Sequence, residues 1–223
     1  MGIQCEQTQD TYYSSLSLQA FKGKHKDRAC LVCGTGPSLS ILKTEDNPFA
    51  IIGVNAISRY VKPKYLVISD RIGWQNKLNY SEEIQRNIDA IISENKAEYT
   101  FSKWSYPNSP SEWVKTEFYG IDCISAAEII RTGKIFSSYT STISAIGLAC
   151  WMGFRFIGLL GFDLAGHPVM QHRVREINSS CQRIMDYAKE TGRDILNLSA
   201  DSLVEPFPKV TFKEFKDWYE DYA

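Results

Sequence analysis

The sequence predicts an α/β protein: a Rossmann-like, mostly parallel sheet with helices on both faces, built as a single domain. Three observations lead there. Short, continuously apolar runs recur, and each stops at a glycine or a polar residue, as strands buried on both faces of a parallel sheet do. Segments whose apolar residues follow helical spacing are interleaved with them, and a β-α-β-α-β order calls for parallel strands joined by crossover helices. The chain has 223 residues, enough for one sizeable core.

Residues 1–27 are polar and end in the basic cluster "KGKHKDR". They are expected to form an N-terminal arm or a surface helix, with the predicted domain spanning residues 28–223. "ACLVCG", "FAIIGVN" (Phe49–Asn55) and "YLVISD" (Tyr65–Asp70) are the first three expected strands. "SEEIQRNIDAIISEN" (Ser81–Asn95) carries Ile84, Ile88, Ile91 and Ile92 on one helical face, with Ser81 as N-cap and Glu82 and Glu83 in the first turn. "AEYTFS" and "GIDCIS" read as short strands, and the proline-bearing "SYPNSPSEW" between them reads as loop. "STISAIGLACWMGF" (Ser141–Phe154) is a largely buried helix, followed by the strand "RFIGLLGFD". A second helix is expected from Arg175 to Lys189, with Gly192 as its C-cap residue. The strand "DILNLS" and an amphipathic helix, "FKEFKDWYEDY", complete the chain.

Bulk properties exclude several classes. With 43% hydrophobic residues, 23% charged residues and a net charge of −1, no global field draws the protein to nucleic acid or to an anionic membrane. No run of about 18 apolar residues occurs, so no membrane-spanning helix is expected. The N-terminus lacks the basic and apolar regions of a secretory signal. Gly2 is not set for myristoylation, because Glu6 stands where that motif needs Ser or Thr. Six scattered cysteines are no disulfide framework, and a reducing, cytoplasmic location is expected.

Cys30 and Cys33 form a C-x-x-C, which raises redox or metal chemistry. In a strand, residues three apart face opposite sides, so these thiols are not expected to meet. Zinc would need a second ligand pair at suitable spacing, and none occurs; no metal ligand is assigned. "CGTGPS" after a strand reads either as a tight turn or as a loop that lets backbone approach a phosphate or ribose, through Gly34, Thr35, Gly36 and Ser38. It is neither G-x-G-x-x-G nor a P-loop. Asn55 and Asp70 terminate strands where open α/β sheets bind ligands. "SSYTSTIS" puts Thr140, Ser141 and Thr142 at a helix start, as an ordinary N-cap or as an anion site made of hydroxyls and helix N–H groups. Of three histidines, His167 and His172 lie just past "GLLGFD" with Arg173 and Arg175, where a general base could face the crevice. There is no D-x-D motif.

Taken in order, "CLVCGTGPSLSIL", "GVN", "YLVISD", "YTSTISAIGLACWMGFRFIGLLGFDL" and "ILNLSADSLVEPFP" resemble the family-42 bacterial sialyltransferases and related glycosyltransferase-like proteins of bacteria and phages. The resemblance runs from about Cys30 to Phe207. An archaeal-type 6-hydroxymethylpterin diphosphokinase group shares a similar Gly-Pro-Ser loop. The resemblance implies an inverting, metal-independent glycosyltransferase that needs no cofactor beyond its nucleotide-sugar donor. In it, Gly34, Thr35, Gly36, Ser38 and Asn55 match nucleotide contacts, and Thr140 and Ser141 match the pair at the donor phosphate. His172 is the best match to the catalytic base. Asp70 stands where those enzymes have Asn. Ser138 stands where they have Arg, and the loop "LAGHPVMQHRVR" lacks their tyrosines, leaving His167, Arg173 and Arg175 as substitutes. These departures leave the donor sugar open. Without the basic tail of those enzymes before Ala223, a soluble acceptor is expected: a glycan, or a modified base in phage DNA. A homo-oligomer is compatible with the sequence. Two other readings stay open: an Mg²⁺-dependent pyrophosphokinase with Asp70 as metal ligand, and a non-catalytic nucleotide-binding or DNA-associated protein that uses the basic cluster.

Overall fold

A computed structural model describes residues 16–69, 91–103, 111–121, 124–165 and 170–222. Its centre is a seven-stranded sheet in the order β5-β4-β3-β2-β1-β8-β9. The strands are β1 (Ala29–Cys33), β2 (Ala50–Val54), β3 (Tyr65–Ile68), β4 (Tyr99–Ser102), β5 (Glu112–Lys115), β8 (Phe156–Leu160) and β9 (Asp194–Asn197). Every pairing in it is parallel. A separate parallel pair joins β6 (Phe118–Gly120) to β7 (Ile135–Ser137). The helices are α1 (Ala126–Arg131), α2 (Ser141–Trp151), α3 (Val174–Glu190) and α4 (Phe212–Tyr222). The predicted fold class is the observed one.

Strand residues alternate between two cores, one on each face. Cys30, Val32, Ile52, Val54, Tyr65 and Val67 join α2 and α3 in one. Leu31, Cys33, Leu66 and Ile68 join Phe212 and Phe215 of α4 in the other. Because both faces are covered, β1 and β8 are buried at every position, the physical origin of their uninterrupted apolar sequence. α2 packs between the sheet and β7 and is likewise buried along its whole length. α3 buries one stripe, from Ile177 through Cys181 and Ile184 to Ala188, and ends at Thr191, with Gly192 at φ +66° just beyond.

Cys30 and Cys33 sit in different cores, both fully buried, and burial pushes both thiols above their ordinary range. The C-x-x-C is a packing feature of β1.

Four local expectations are corrected. Residues 16–27 include two core side chains: Leu18 and Phe21 are buried, and Phe21 packs edge-on against Tyr65, Tyr99 and Phe101. Their polar neighbours masked this anchor. The "EW" that ends "SYPNSPSEW" belongs to strand, since Glu112 and Trp113 pair with Tyr99 and Thr100 of β4. The short strand expected at "GIDCIS" ends earlier, at Gly120, because Ser125 instead caps α1 by accepting from the Glu128 N–H at 3.2 Å. β7 and α1 were not expected at all. Of the helix expected from Ser81, residues 81–90 lie outside the described residues; residues 91–93 are helical.

Candidate functional site

From β1 the chain proceeds to β2, β3, β4 and β5 on one side, while β8 and β9 lie on the other. The strand order therefore reverses between β1 and β8, and a crevice beyond the carboxyl ends at such a reversal is where open α/β sheets bind ligands. The loops leaving β1, β2, β3 and β8 meet there, and α2, lying antiparallel to the strands, brings its N-terminus to the same edge.

The β1 and β8 loops are locked together by backbone. Gly34 N–H donates to Leu160 O at 2.8 Å and Gly36 N–H to Gly161 O at 3.0 Å. A Cβ on Gly34 would lie 2.3 Å from Gly161 O, and one on Gly36 would lie 2.4 Å from Asp163 Oδ2. The glycines of "GTGPS" are thus required first by the approach of another loop. Ser38 closes the lock: its hydroxyl accepts from Gly161 N–H at 2.7 Å, and its own N–H donates to Asp163 Oδ2 at 2.9 Å. Thr35 is exposed between the two glycines. Pro37 opens a short 3-10 turn, Pro37–Lys43, where its missing N–H costs nothing.

Asn55 follows β2 at φ +48°, a conformation that Asn tolerates better than most residues. Its Oδ1 accepts from the Ser141 hydroxyl at 3.4 Å, and Ser141 Oγ in turn accepts from Ser69 Oγ at 2.9 Å. The ends of β2 and β3 are so tied to the first residue of α2. Thr140 is the N-cap, accepting from Ile143 N–H at 3.4 Å. Ser141 and Thr142 are buried, and Thr142 Oγ1 lies 3.5 Å from where a Cβ on Gly34 would sit. The positive end of the α2 dipole is therefore turned toward the glycine loop.

The segment leading into α2 is held by hydroxyl pairs. Ser138, where the resemblance implied Arg, bonds Ser180 of α3 at 2.8 Å, and Ser144 donates to Ser137 at 2.8 Å. His172 is exposed on the 3-10 turn Met170–Arg173 that runs into α3. The Arg173 guanidinium stands 5.3 Å from the Tyr139 ring centre, which brings this turn alongside the N-terminus of α2. Arg175 is exposed in the first turn of α3. Asp70 and His167 lie outside the described residues. Among the described residues, no group of three or more His, Cys, Asp or Glu is gathered to hold a metal ion.

The structure thus brings Gly34, Gly36, Ser38, Asn55, Thr140, Ser141 and Thr142 together and sets Arg173 beside them. Sequence reasoning missed Ser69, Tyr139 and Asp163. Each follows or precedes a recognised element by one or a few residues, and a polar residue just past an apolar strand was the available signal. Chemically, the assembly offers helix N–H groups, hydroxyls, an amide and a nearby guanidinium, a set suited to an anionic, hydroxyl-bearing ligand.

No protein-family model matches the chain, and no curated protein matches it. Solved structures do. The MAf glycosyltransferase from Magnetospirillum magneticum AMB-1 is similar over 92% of this chain, with a TM-score of 0.54 and 14% identity. The chain spans only 40% of that protein's length. The sialyltransferase CstII from Campylobacter jejuni, in complex with the substrate analogue CMP-3FNeuAc, matches 82% of this chain and 85% of its own, at 13% identity and a TM-score of 0.47. An α-2,3-sialyltransferase from Campylobacter jejuni in apo form matches 82% and 80%, at 15% identity and a TM-score of 0.46. No helix among the described residues is long and apolar enough to cross a membrane.

Proposed function

We propose that this protein is a glycosyltransferase that moves a sugar from a nucleotide donor to an acceptor hydroxyl, with inversion and without a metal. The observation that carries this reading is the convergence at one sheet edge of the glycine loop, Asn55, the Ser69–Ser141 pair and the N-terminus of α2. Its likeness in fold to a MAf glycosyltransferase supports the same reading.

The donor's phosphate sits at the N-terminus of α2, where N–H groups without intrahelical partners and the hydroxyls of Thr140 and Thr142 meet a negative charge. The nucleoside lies along Gly34 to Ser38, with the Asn55 amide on its other side. An acceptor hydroxyl oxygen attacks the anomeric carbon from the face opposite the nucleotide. His172 takes the proton of that hydroxyl. The bond from the anomeric carbon to the phosphate oxygen breaks, and its electron pair leaves on the nucleotide. Arg173, held beside Tyr139 next to the segment that enters α2, offsets that charge. The acceptor in the same proposal is a soluble glycan or a modified DNA base.

The test is a thermal-shift panel of CMP-, UDP- and GDP-linked sugars, followed by detection of released nucleotide with and without EDTA. A donor at about 100 times its Kd stabilises by about 2.7 kcal/mol. Release that continues in EDTA is expected, and loss of release would redirect the reading to a metal-dependent phosphoryl transfer. His172→Ala is expected to lower turnover by about 10²–10⁴-fold with donor binding intact. Unchanged turnover removes His172 from the chemistry.

A further inference from the structure

One buried charge in the molecule is left half-used. Asp163 follows β8 and is only 4% exposed. Its Oδ2 accepts from Ser38 N–H at 2.9 Å, and its main-chain carbonyl accepts from Leu203 N–H at 2.9 Å. Its Oδ1 has no hydrogen-bond partner among the described residues, although it is shielded from solvent. A shielded carboxylate oxygen without a donor is costly, and in a native fold such an atom usually has a partner of another kind. The position of this one is informative. It lies at the strand-order reversal, against the glycine loop, where the place of a Cβ on Gly36 is already within 2.4 Å of the carboxylate.

The distances along the loop say which part of a nucleotide would meet it. The place of a Cβ on Gly34 lies 3.5 Å from Thr142 Oγ1, so the glycine loop begins beside the N-terminus of α2, where the proposed phosphate sits. Gly36 is two residues on, at most about 7 Å away by chain geometry. That is the step from a 5′-phosphate to the far side of its ribose. A carboxylate oxygen is acceptor-only, so what it takes at this point is a hydroxyl donor.

We propose that Oδ1 of Asp163 accepts a hydrogen bond from a ribose hydroxyl of the bound nucleotide, making Asp163 the residue that selects ribonucleotides over deoxyribonucleotides. This rests on the reading that a nucleotide occupies the crevice, and not on sugar transfer itself. The carboxylate borders the Gly36–Pro37 stretch, which is partly open to solvent, and the proposal requires a bound ribose to displace that stretch to meet Oδ1. Oδ2 meanwhile keeps Ser38 in place, so one carboxylate both shapes the loop and reads the ligand. A site built to bond a hydroxyl rejects the analogue that lacks it far more strongly than an apolar pocket rejects a size change.

Calorimetric titration of the full chain with the four ribonucleoside 5′-monophosphates and their 2′-deoxy and 3′-deoxy counterparts tests this. The wild type is expected to bind its preferred ribonucleotide at least ~10-fold more tightly than one of the two deoxy forms. Asp163→Asn keeps an acceptor for Ser38 and replaces the other oxygen with a donor. It is expected to abolish that preference while leaving affinity for the deoxy form within about twofold, as expected for a lost ligand bond and not a collapsed loop. Wild-type binding that is equal for ribo and deoxy forms overturns the proposal, and that measurement needs no variant. So does an Asn variant that keeps the preference, or one that loses affinity for both forms alike. Failure of every nucleotide in the panel to bind overturns this proposal and the transferase reading together. Selective ribonucleotide binding without sugar transfer upholds Asp163 and removes the transferase reading alone.

Discussion

The two ends of the sheet are built from different materials. At the carboxyl ends of the strands, contacts run through backbone, glycine and small hydroxyls: Gly34 and Gly36 against Gly161, Ser38 against Asp163, Ser69 against Ser141. At the amino ends, rings and cations fill the same role. Phe21 packs against Tyr65, Tyr99 and Phe101, and the ring of His25 stacks on Phe154 at 4.5 Å while its Nε2 shares a hydrogen bond with Tyr65 Oη at 2.7 Å. Lys22 and Lys24 lie over the rings of Trp151 and Phe21. Large rings bury area and hold an edge by bulk. Small groups hold an edge by directed bonds and leave room for a ligand. On the proposed reading, stability and recognition are carried at opposite ends of the same strands.

Phe21→Ala is the largest test of that division. Removing a buried phenylalanine costs about 3–5 kcal/mol. For a chain of this size that lowers Tm by roughly 6–20 °C. Calorimetry is expected to show this loss while nucleotide affinity, measured below the transition, stays within about twofold. A large affinity loss in the folded variant would mean that the two ends are not independent. Gly34→Ala is the reciprocal change. Its Cβ would meet the Gly161 carbonyl oxygen at 2.3 Å, a backbone atom that cannot swing aside. Overpacking of this kind costs about 1–3 kcal/mol. The sharper outcome is functional: parting the β1 and β8 loops is expected to abolish nucleotide-dependent stabilisation. The double variant is expected to be additive within about 0.5 kcal/mol, since the sites are distant and share no partner.

The same division decided what the sequence made legible. The sheet could be read because strands covered on both faces are apolar throughout, as β1 and β8 are. α2 could be read for the same reason. β5 and β7 could not, since an edge strand such as Glu112–Lys115 has only two buried residues between exposed charges and its strand state comes from pairing with β4. Phe21 was hidden because one ring in a polar stretch has no periodicity. In the site, "GTGPS" and "TSTIS" announced themselves by composition, whereas Asp163 and Ser69 acquire their meaning only from partners 125 and 72 residues away. No spacing rule reaches that far. The lock between two loops requires Ser38 and the glycines without any ligand, a reason separate from the expectation that they serve one.

Ser69→Ala gives a smaller effect at the carboxyl end. A hydrogen bond of this kind contributes about 0.5–1.5 kcal/mol net. Its loss removes the donor to Ser141 Oγ, whose hydroxyl in turn donates to the Asn55 amide, so nucleotide affinity is expected to fall more than stability does. Equal, small changes in both would reduce the Ser69–Ser141–Asn55 chain to simple packing.

The smallest effect belongs to the amino end and is a pH dependence. Burial, together with the charges of Lys64, Lys24 and Arg28, holds His25 down at about 4, below its ordinary 6.5. Burial and the nearby Glu98 and Tyr99 push the Tyr65 hydroxyl up to about 12, so its proton is retained across the working range. In the unfolded chain His25 takes a proton below about pH 6.5, while in the folded chain it resists until about pH 4. Between those values the unfolded state binds more protons, and stability falls as pH falls. The contribution is complete above about pH 6.5 and gone below about pH 4. Because His25 is only partly buried, solvent screening keeps it below the full linkage value. His25→Phe preserves the stack on Phe154 and cannot titrate. The Tm difference between wild type and variant is therefore expected to shrink, or to reverse, from pH 7 to pH 4.5, while other titrating groups cancel in the comparison. A pH-invariant difference would show that neither burial nor the charges of Lys64, Lys24 and Arg28 hold this ring's pKa down in the folded chain.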